Sequence, residues 1–137
     1  MVRKEVIRKR LEKLENYLAI LRGMRETPVE EFVANPEKYG SAERFLQLAI
    51  EVINDIGSHL VVDLGLGSVD WYRDVPERLC DAGYIGQDLR ERWLRMIGFR
   101  NILVHDYLDI DRQEVYQVLQ EDLADLERFQ ALFAQFL

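Results

Sequence analysis

Apolar residues recur three and four positions apart along nearly all of this chain, and strand-like alternation is absent, so the pattern predicts an all-helical protein. Ile7, Leu11, Leu14, Leu18 and Leu21 form the seam of a first long helix. Thr27-Pro28-Val29-Glu30 then supplies an N-cap, a proline at the first helical position and a capping-box glutamate. These signals open a short turn that Pro36 and Gly40 are expected to close. Ser41 restarts the chain into a second long helix with Phe45, Leu46, Ala49, Val52, Ile53, Ile56 and Leu60 as its apolar stripe. Gly65-Leu66-Gly67 ends it. Those glycines imitate part of a nucleotide-binding loop, but no strand precedes them and the full glycine pattern is missing, so they read as a helix C-cap.

The segment from Trp71 to Gly86 is punctuated by Pro76 and Gly83, and only Val75, Leu79 and Cys80 recur on one side. It is predicted to be an irregular connector with one short helix. A third long helix begins near Gln87 and turns Leu89, Trp93, Met96, Ile97 and Leu103 inward. A fourth begins near Asp111, with Glu114 as capping partner, and runs on through Val115, Val118, Leu119, Leu123, Leu126 and Phe129. Four long helices of similar length predict an all-α, antiparallel four-helix bundle with a short connecting helix between the second and third. At 137 residues, 48% hydrophobic and 31% charged, the chain is expected to be a single domain over residues 1–137 with a core of its own.

Composition narrows the setting. One cysteine, Cys80, permits no internal disulfide, and no signal peptide or long apolar run is evident, which predicts a cytoplasmic protein without a membrane span. A net charge of −7 opposes a nucleic-acid ligand, whose binding depends on neutralising phosphates. The charge is unevenly spread, however. Residues 1–25 hold Arg3, Lys4, Arg8, Lys9, Arg10, Lys13, Arg22 and Arg25 against only Glu5, Glu12 and Glu15. A basic stretch of this kind is more often a solvated helix face than an RNA contact, and both readings stay open here.

The candidate chemistry lies at the end of the third helix, in Arg100-Asn101-Ile102-Leu103-Val104-His105-Asp106-Tyr107. Arginine stays charged and can grip a phosphate through two parallel donors, while histidine takes and returns a proton near neutral pH. Such a set suits a phosphodiester. It suits equally a helix end whose dipole favours cations. Residues five apart lie about 140° from each other on an ideal helix, so Asn101, not Arg100, sits beneath His105. For Arg100 and His105 to meet on one phosphate the helix must end near Val104, the arginine must reach around, or a second copy must contribute. A separate ladder, Asp55, His59 and Asp63 at i, i+4 and i+8, could face a metal or merely hold an imidazole between carboxylates. No other His or Cys pair completes a coordination shell, and neither a metal nor another cofactor is expected.

Gly98-Phe99-Arg100-Asn101-Ile102-Leu103-Val104-His105-Asp106-Tyr107 resembles the Gly-hydrophobic-Arg-Asn-x-Leu-Val-His-x-Tyr signature of the HepT-like toxins of the HEPN superfamily. Glu51-Val52-Ile53-Asn54-Asp55-Ile56-Gly57-Ser58-His59 is similar to that family's second-helix segment, apart from Gly57-Ser58, where helix-favouring residues would be expected. Tyr72-Arg73-Asp74 through Leu79 and Gly83-Tyr84-Ile85 resemble its connecting helix and turn. The resemblance implies a toxin of a toxin–antitoxin system that acts as a metal-independent endoribonuclease on RNA. Arg100 and His105 would be catalytic and Asn101 supporting, lining a cleft between two copies in a homodimer. It further implies an antitoxin partner, a nucleotidyltransferase of the MntA type that attaches AMP to Tyr107. From the residues alone, Tyr107 could equally be a phenol packing over the helix end. A non-catalytic helical subunit that docks onto a nucleotidyltransferase is the alternative, and the acidic bulk of the chain favours it.

Overall fold

The spacing of apolar residues translates directly into helices in a computed structural model that describes residues 1–137. The order is α1 (Lys4–Met24), α2 (Val29–Ala34), α3 (Pro36–Asp63), α4 (Asp74–Asp81), α5 (Gln87–His105), α6 (Arg112–Glu121) and α7 (Leu123–Ala134), with a 3₁₀ turn at Tyr107–Asp109 between α5 and α6. No strand forms. Along α1 the seam residues Ile7, Leu14, Leu18 and Leu21 are buried, and Leu11 packs half-buried beside them. The connector yields a short helix, α4, and α5 begins at Gln87, as the pattern predicts.

Three boundaries differ from expectation. Pro36 does not close a turn; it opens α3. Proline at a first helical position lacks only an N–H that would have had no partner, and the Asn35 side chain caps the helix by accepting the Glu37 N–H at 3.0 Å. Gly40 is therefore helical, and α3 begins five residues before Ser41. At α2 it is Pro28, not Thr27, that occupies the N-cap, with no side-chain capping bond. The Thr27 carbonyl instead accepts the Tyr116 hydroxyl at 2.7 Å, tying the loop to α6.

The fourth predicted helix is two. Asp111 caps α6 through the Gln113 N–H, and the helix kinks at Asp122 before α7. Each half has its own partners: α6 packs on α2 and α3, whereas α7 packs on α1 and α3. Burial, and next the like charge of Asp125, push the Asp122 carboxyl above its usual range, so the kink sits at an uncomfortable ion.

Helix α3 touches all six other α-helices and forms the axis of the core. An 18-residue window within it has a mean hydropathy of 1.3, long and apolar enough by composition to cross a bilayer, contrary to the sequence expectation that no such run exists. Half of that window is buried among its neighbours. Twenty-six buried apolar residues form one cluster. At its centre Trp93 is fully buried, with its ring edge-on to Phe129 at 4.8 Å and to Phe133 at 5.9 Å. The indole N–H donates to Asn54 Oδ1 at 2.8 Å, while Asn54 Nδ2 is buried without a partner.

Trp93 also explains the unexpected Gly57. A Cβ there would stand 2.5 Å from Val75 Cγ1 and 2.8 Å from two ring carbons of Trp93, so only glycine lets α3, α4 and α5 converge. Gly57→Ala would gain about 1 kcal/mol of helix propensity. It would also force methyl against a ring that cannot withdraw, at about 1–3 kcal/mol. A lowered urea midpoint is the expected result; a midpoint at or above the parent's would show that α5 can shift. At the far end of α3, the Leu66 N–H bonds to the Val61 carbonyl at 2.9 Å and the Gly65 N–H to the Val62 carbonyl at 3.1 Å. Gly65 has φ +69°, which completes the predicted C-cap as a Schellman motif.

Candidate active site

The motif occupies the last turn of α5. That helix is anchored by Trp93, Met96, Ile97 and Leu103 on its buried side, which leaves Asn101 and His105 facing outward. The helix ends at His105, one residue beyond the point where the sequence requires it to end, and the chain turns through Asp106 into the 3₁₀ segment. Arg100, Asn101 and His105 thereby line one open cleft of about 640 Å³, together with Trp71, Tyr72, Arg73, Ile97 and Asp106.

Arg100 is held rather than free. Its Nε and Nη2 donate to the Glu51 carboxylate on α3 at 3.1 and 2.9 Å, and Nη1 donates to Asn101 Oδ1 at 3.2 Å. Tyr72 lies alongside, its ring centroid 5.8 Å from the guanidinium carbon. The head group is thus fixed from three directions at the cleft wall, and its side chain retains 17% exposure. Gln47 donates to the same Glu51 oxygen at 3.1 Å and steadies the clamp. Nothing in the sequence singles out Glu51, and the aromatics of the connector would be expected to pack over the bundle, whereas Trp71 is 68% exposed and lines the cleft with Tyr72. The signal that could have found Glu51 is its place one helical turn before Asp55 in the second long helix.

Tyr107 lies elsewhere. It begins the 3₁₀ turn with 67% exposure and no partner for its hydroxyl, and it lines a separate, smaller cleft with Tyr39, Glu43, Arg44, Leu108 and Arg112. The ring does not pack over the helix end. Burial holds the Glu43 carboxyl in this cleft above its usual range, against the pull of Arg112.

The Asp55, His59, Asp63 ladder faces α1. Arg3 donates to both oxygens of Asp63 at 3.1 Å and approaches His59 Nδ1 at 2.9 Å; Arg10 pairs with Asp55; His59 Nε2 stands 3.5 Å from Asp55. The Arg3 hydrogen bonds hold the Asp63 carboxyl below the usual carboxylate range. Both carboxylates are thus committed to arginines, and the ladder is a clasp between α1 and α3. The same pairing draws charge out of the basic stretch. Arg3, Arg8, Arg10 and Arg22 all bind carboxylates of this chain, which leaves Lys4, Lys9, Lys13 and Arg25 as its unpaired cations.

A clamped arginine and an exposed histidine thus share one cleft on an all-helical chain. Residues 7–131 match the family described as "Ribonuclease HepT-like", and the chain belongs to that family. It is 36% identical over 84 residues to the "mRNA nuclease HepT" of Shewanella oneidensis, an alignment that spans 61% of this chain and 63% of that protein, a little under two thirds of its length. It is 27% identical over 114 residues to the "tRNA nuclease HepT" of Aphanizomenon flos-aquae, covering 83% of this chain and 78% of the relative. A solved structure of the tri-AMPylated Shewanella oneidensis HEPN toxin in complex with MNT antitoxin superposes with a TM-score of 0.87 at 25% identity. It covers 95% of this chain and 97% of its own.

Proposed function

We propose that this chain is a cytoplasmic, metal-independent endoribonuclease toxin that acts as a single unit over its whole length, and that a nucleotidyltransferase antitoxin of the MntA type silences it by placing AMP on Tyr107. The observation that carries the reading is the shared cleft of Arg100, Asn101 and His105, in which a permanent cation is held in place beside a titratable imidazole. His105 Nε2 or Nδ1, whichever is unprotonated, accepts the proton of a ribose 2′-hydroxyl. The 2′-oxygen attacks the adjacent phosphorus, the bond from phosphorus to the 5′-oxygen breaks, and a 2′,3′-cyclic phosphate forms. Arg100 stabilises the charge that builds on the phosphoryl oxygens. Because Glu51 and Asn101 already orient the guanidinium, little reorganisation accompanies the reaction. Asn101 offers its amide to the phosphate. A substrate without a 2′-hydroxyl cannot react this way, so DNA is spared.

The departing 5′-oxygen needs a proton, and one imidazole cannot be base and acid at the same instant. A second copy's His105 supplies the acid when two clefts face across a two-fold axis, so the active species is a homodimer. Light scattering of the purified chain should give twice the 16.2 kDa mass of one copy at micromolar concentration. A monomer that cleaves RNA would remove the composite site. The names of the relatives, an mRNA nuclease and a tRNA nuclease, support RNA as the substrate class. The AMPylated toxin in complex with its antitoxin supports the partner.

A further inference from the structure

Trp71 is a large apolar ring that the fold leaves 68% exposed, on a turn that is otherwise tightly built. The Asp74 carboxylate accepts the N–H groups of Asp70 at 3.1 Å and Trp71 at 3.0 Å. In return the Trp71 carbonyl accepts the Asp74 N–H at 2.9 Å, and the Tyr72 carbonyl accepts that of Val75 at 3.0 Å. Those two backbone donors hold the Asp74 carboxyl below the usual carboxylate range, so the turn keeps its form at any neutral pH. A side chain exposed on so firmly held a turn is presented rather than merely uncovered.

Its position gives the ring a use. Trp71 and Tyr72 line both the Arg100/His105 cleft and a second cleft of about 620 Å³ that runs along α3 past Ser58, His59 and Val62, so the two depressions meet at the indole. Arg73, beside them, lines the first cleft and forms no ion pair within this chain. Resting on the reading of Arg100 and His105 as a ribonuclease site, we infer that Trp71 is a stacking platform for a nucleobase of single-stranded RNA next to the cleaved bond, with Arg73 neutralising the intervening phosphate. The combination of an exposed aromatic face and an unpaired cation beside a phosphodiester-cleaving cleft matches how single strands are held: every base has a π-face, and the strand must be unpaired for a base to reach the ring. Duplex RNA offers no free base and is excluded. Since the ring holds a base before and during the reaction alike, its loss weakens binding more than turnover.

The test uses the only other tryptophan, Trp93, as an internal silent partner: it is fully buried, so a change in emission on adding RNA reports Trp71. The full-length parent is titrated with a short single-stranded oligoribonucleotide made uncleavable by 2′-O-methylation, and RNA cleavage is measured in parallel for the parent, Trp71→Ala and Trp71→Phe. The expected results are quenching in the parent, and in Trp71→Ala a KM raised roughly ten-fold with kcat nearly unchanged, the size expected for one base on one ring. Trp71→Phe should recover most of the KM. A parent that cleaves RNA but shows no quenching overturns the platform alone, as does a Trp71→Ala variant with the parental KM. So does a variant whose mass in light scattering is halved, because the ring would then serve a contact between copies. A parent that is quenched yet cleaves nothing leaves the platform standing and overturns the ribonuclease reading.

Discussion

His105→Ala should abolish growth arrest by this chain and lower RNA cleavage about 10²–10⁴-fold, the usual consequence of removing one acid or base from a reaction that needs proton transfer. The substitution is structurally mild, since His105 is the exposed last residue of α5 and contributes nothing to the core. Circular dichroism should therefore be unchanged. Arg100→Ala is expected to have a comparable effect on cleavage for a different reason: the charge on the phosphoryl oxygens loses its stabilising donor. It also leaves Glu51 half-buried without its partner, so a modest loss of stability accompanies it, and His105→Ala is the cleaner test. Undiminished toxicity in both variants would contradict ribonuclease chemistry at this cleft.

The second large effect is expected at Tyr107. Incubation with a cognate nucleotidyltransferase, ATP and Mg²⁺ should attach an adenylyl group: the phenolic oxygen bonds to the α-phosphorus of ATP, its proton passes to solvent, and pyrophosphate leaves. Cleavage of RNA should then fall to the level of His105→Ala. The hydroxyl is free and the ring 67% exposed, so an enzyme can reach it. Tyr107 lines the neighbouring cleft and not the one that holds His105, so the block is expected to arise from charge and bulk added two residues along the chain from His105, where a phosphodiester repels the phosphate of an incoming strand. Intact-mass spectrometry of the parent and of Tyr107→Phe decides the matter. Equal modification of both, or parental cleavage by the modified chain, would place the switch elsewhere. A docking subunit without activity of its own would be modified with nothing to lose, and that outcome would favour the alternative reading.

What the sequence reveals of this site follows from how local each part is. Arg100, Asn101 and His105 lie within six residues of one helix, and their pattern is legible because helical spacing fixes which of them are neighbours. The Glu51 clamp is 49 residues away in the chain and depends on how α3 meets α5, which no local periodicity encodes. Trp71 and Tyr72 sit in a connector without periodicity, so only the folded chain shows that they wall the cleft. The same contrast holds for the fold. The seams of α1, α3 and α5 are strong three-and-four patterns and predict their helices well. Pro36 is ambiguous in sequence because proline both ends helices and opens them, and the deciding feature is the hydrogen bond from the Glu37 N–H to Asn35. The kink at Asp122 leaves the apolar spacing of Val118, Leu119, Leu123 and Leu126 intact, and it separates two halves that face different partners. Gly57, an anomaly by propensity, is explained once Trp93 is found against it.

The most direct measurement is the chemistry of the ends produced from one RNA in excess EDTA. Purified chain should cut it to fragments that end in a 2′,3′-cyclic phosphate and begin with a 5′-hydroxyl, and should leave the same sequence uncut when the nucleotide before the scissile bond lacks its 2′-hydroxyl; the His105→Ala variant should leave both RNAs uncut. Loss of cutting in EDTA, or fragments with 3′-hydroxyl and 5′-phosphate ends, would contradict a mechanism in which His105 and Arg100 drive the ribose 2′-oxygen onto its own phosphate.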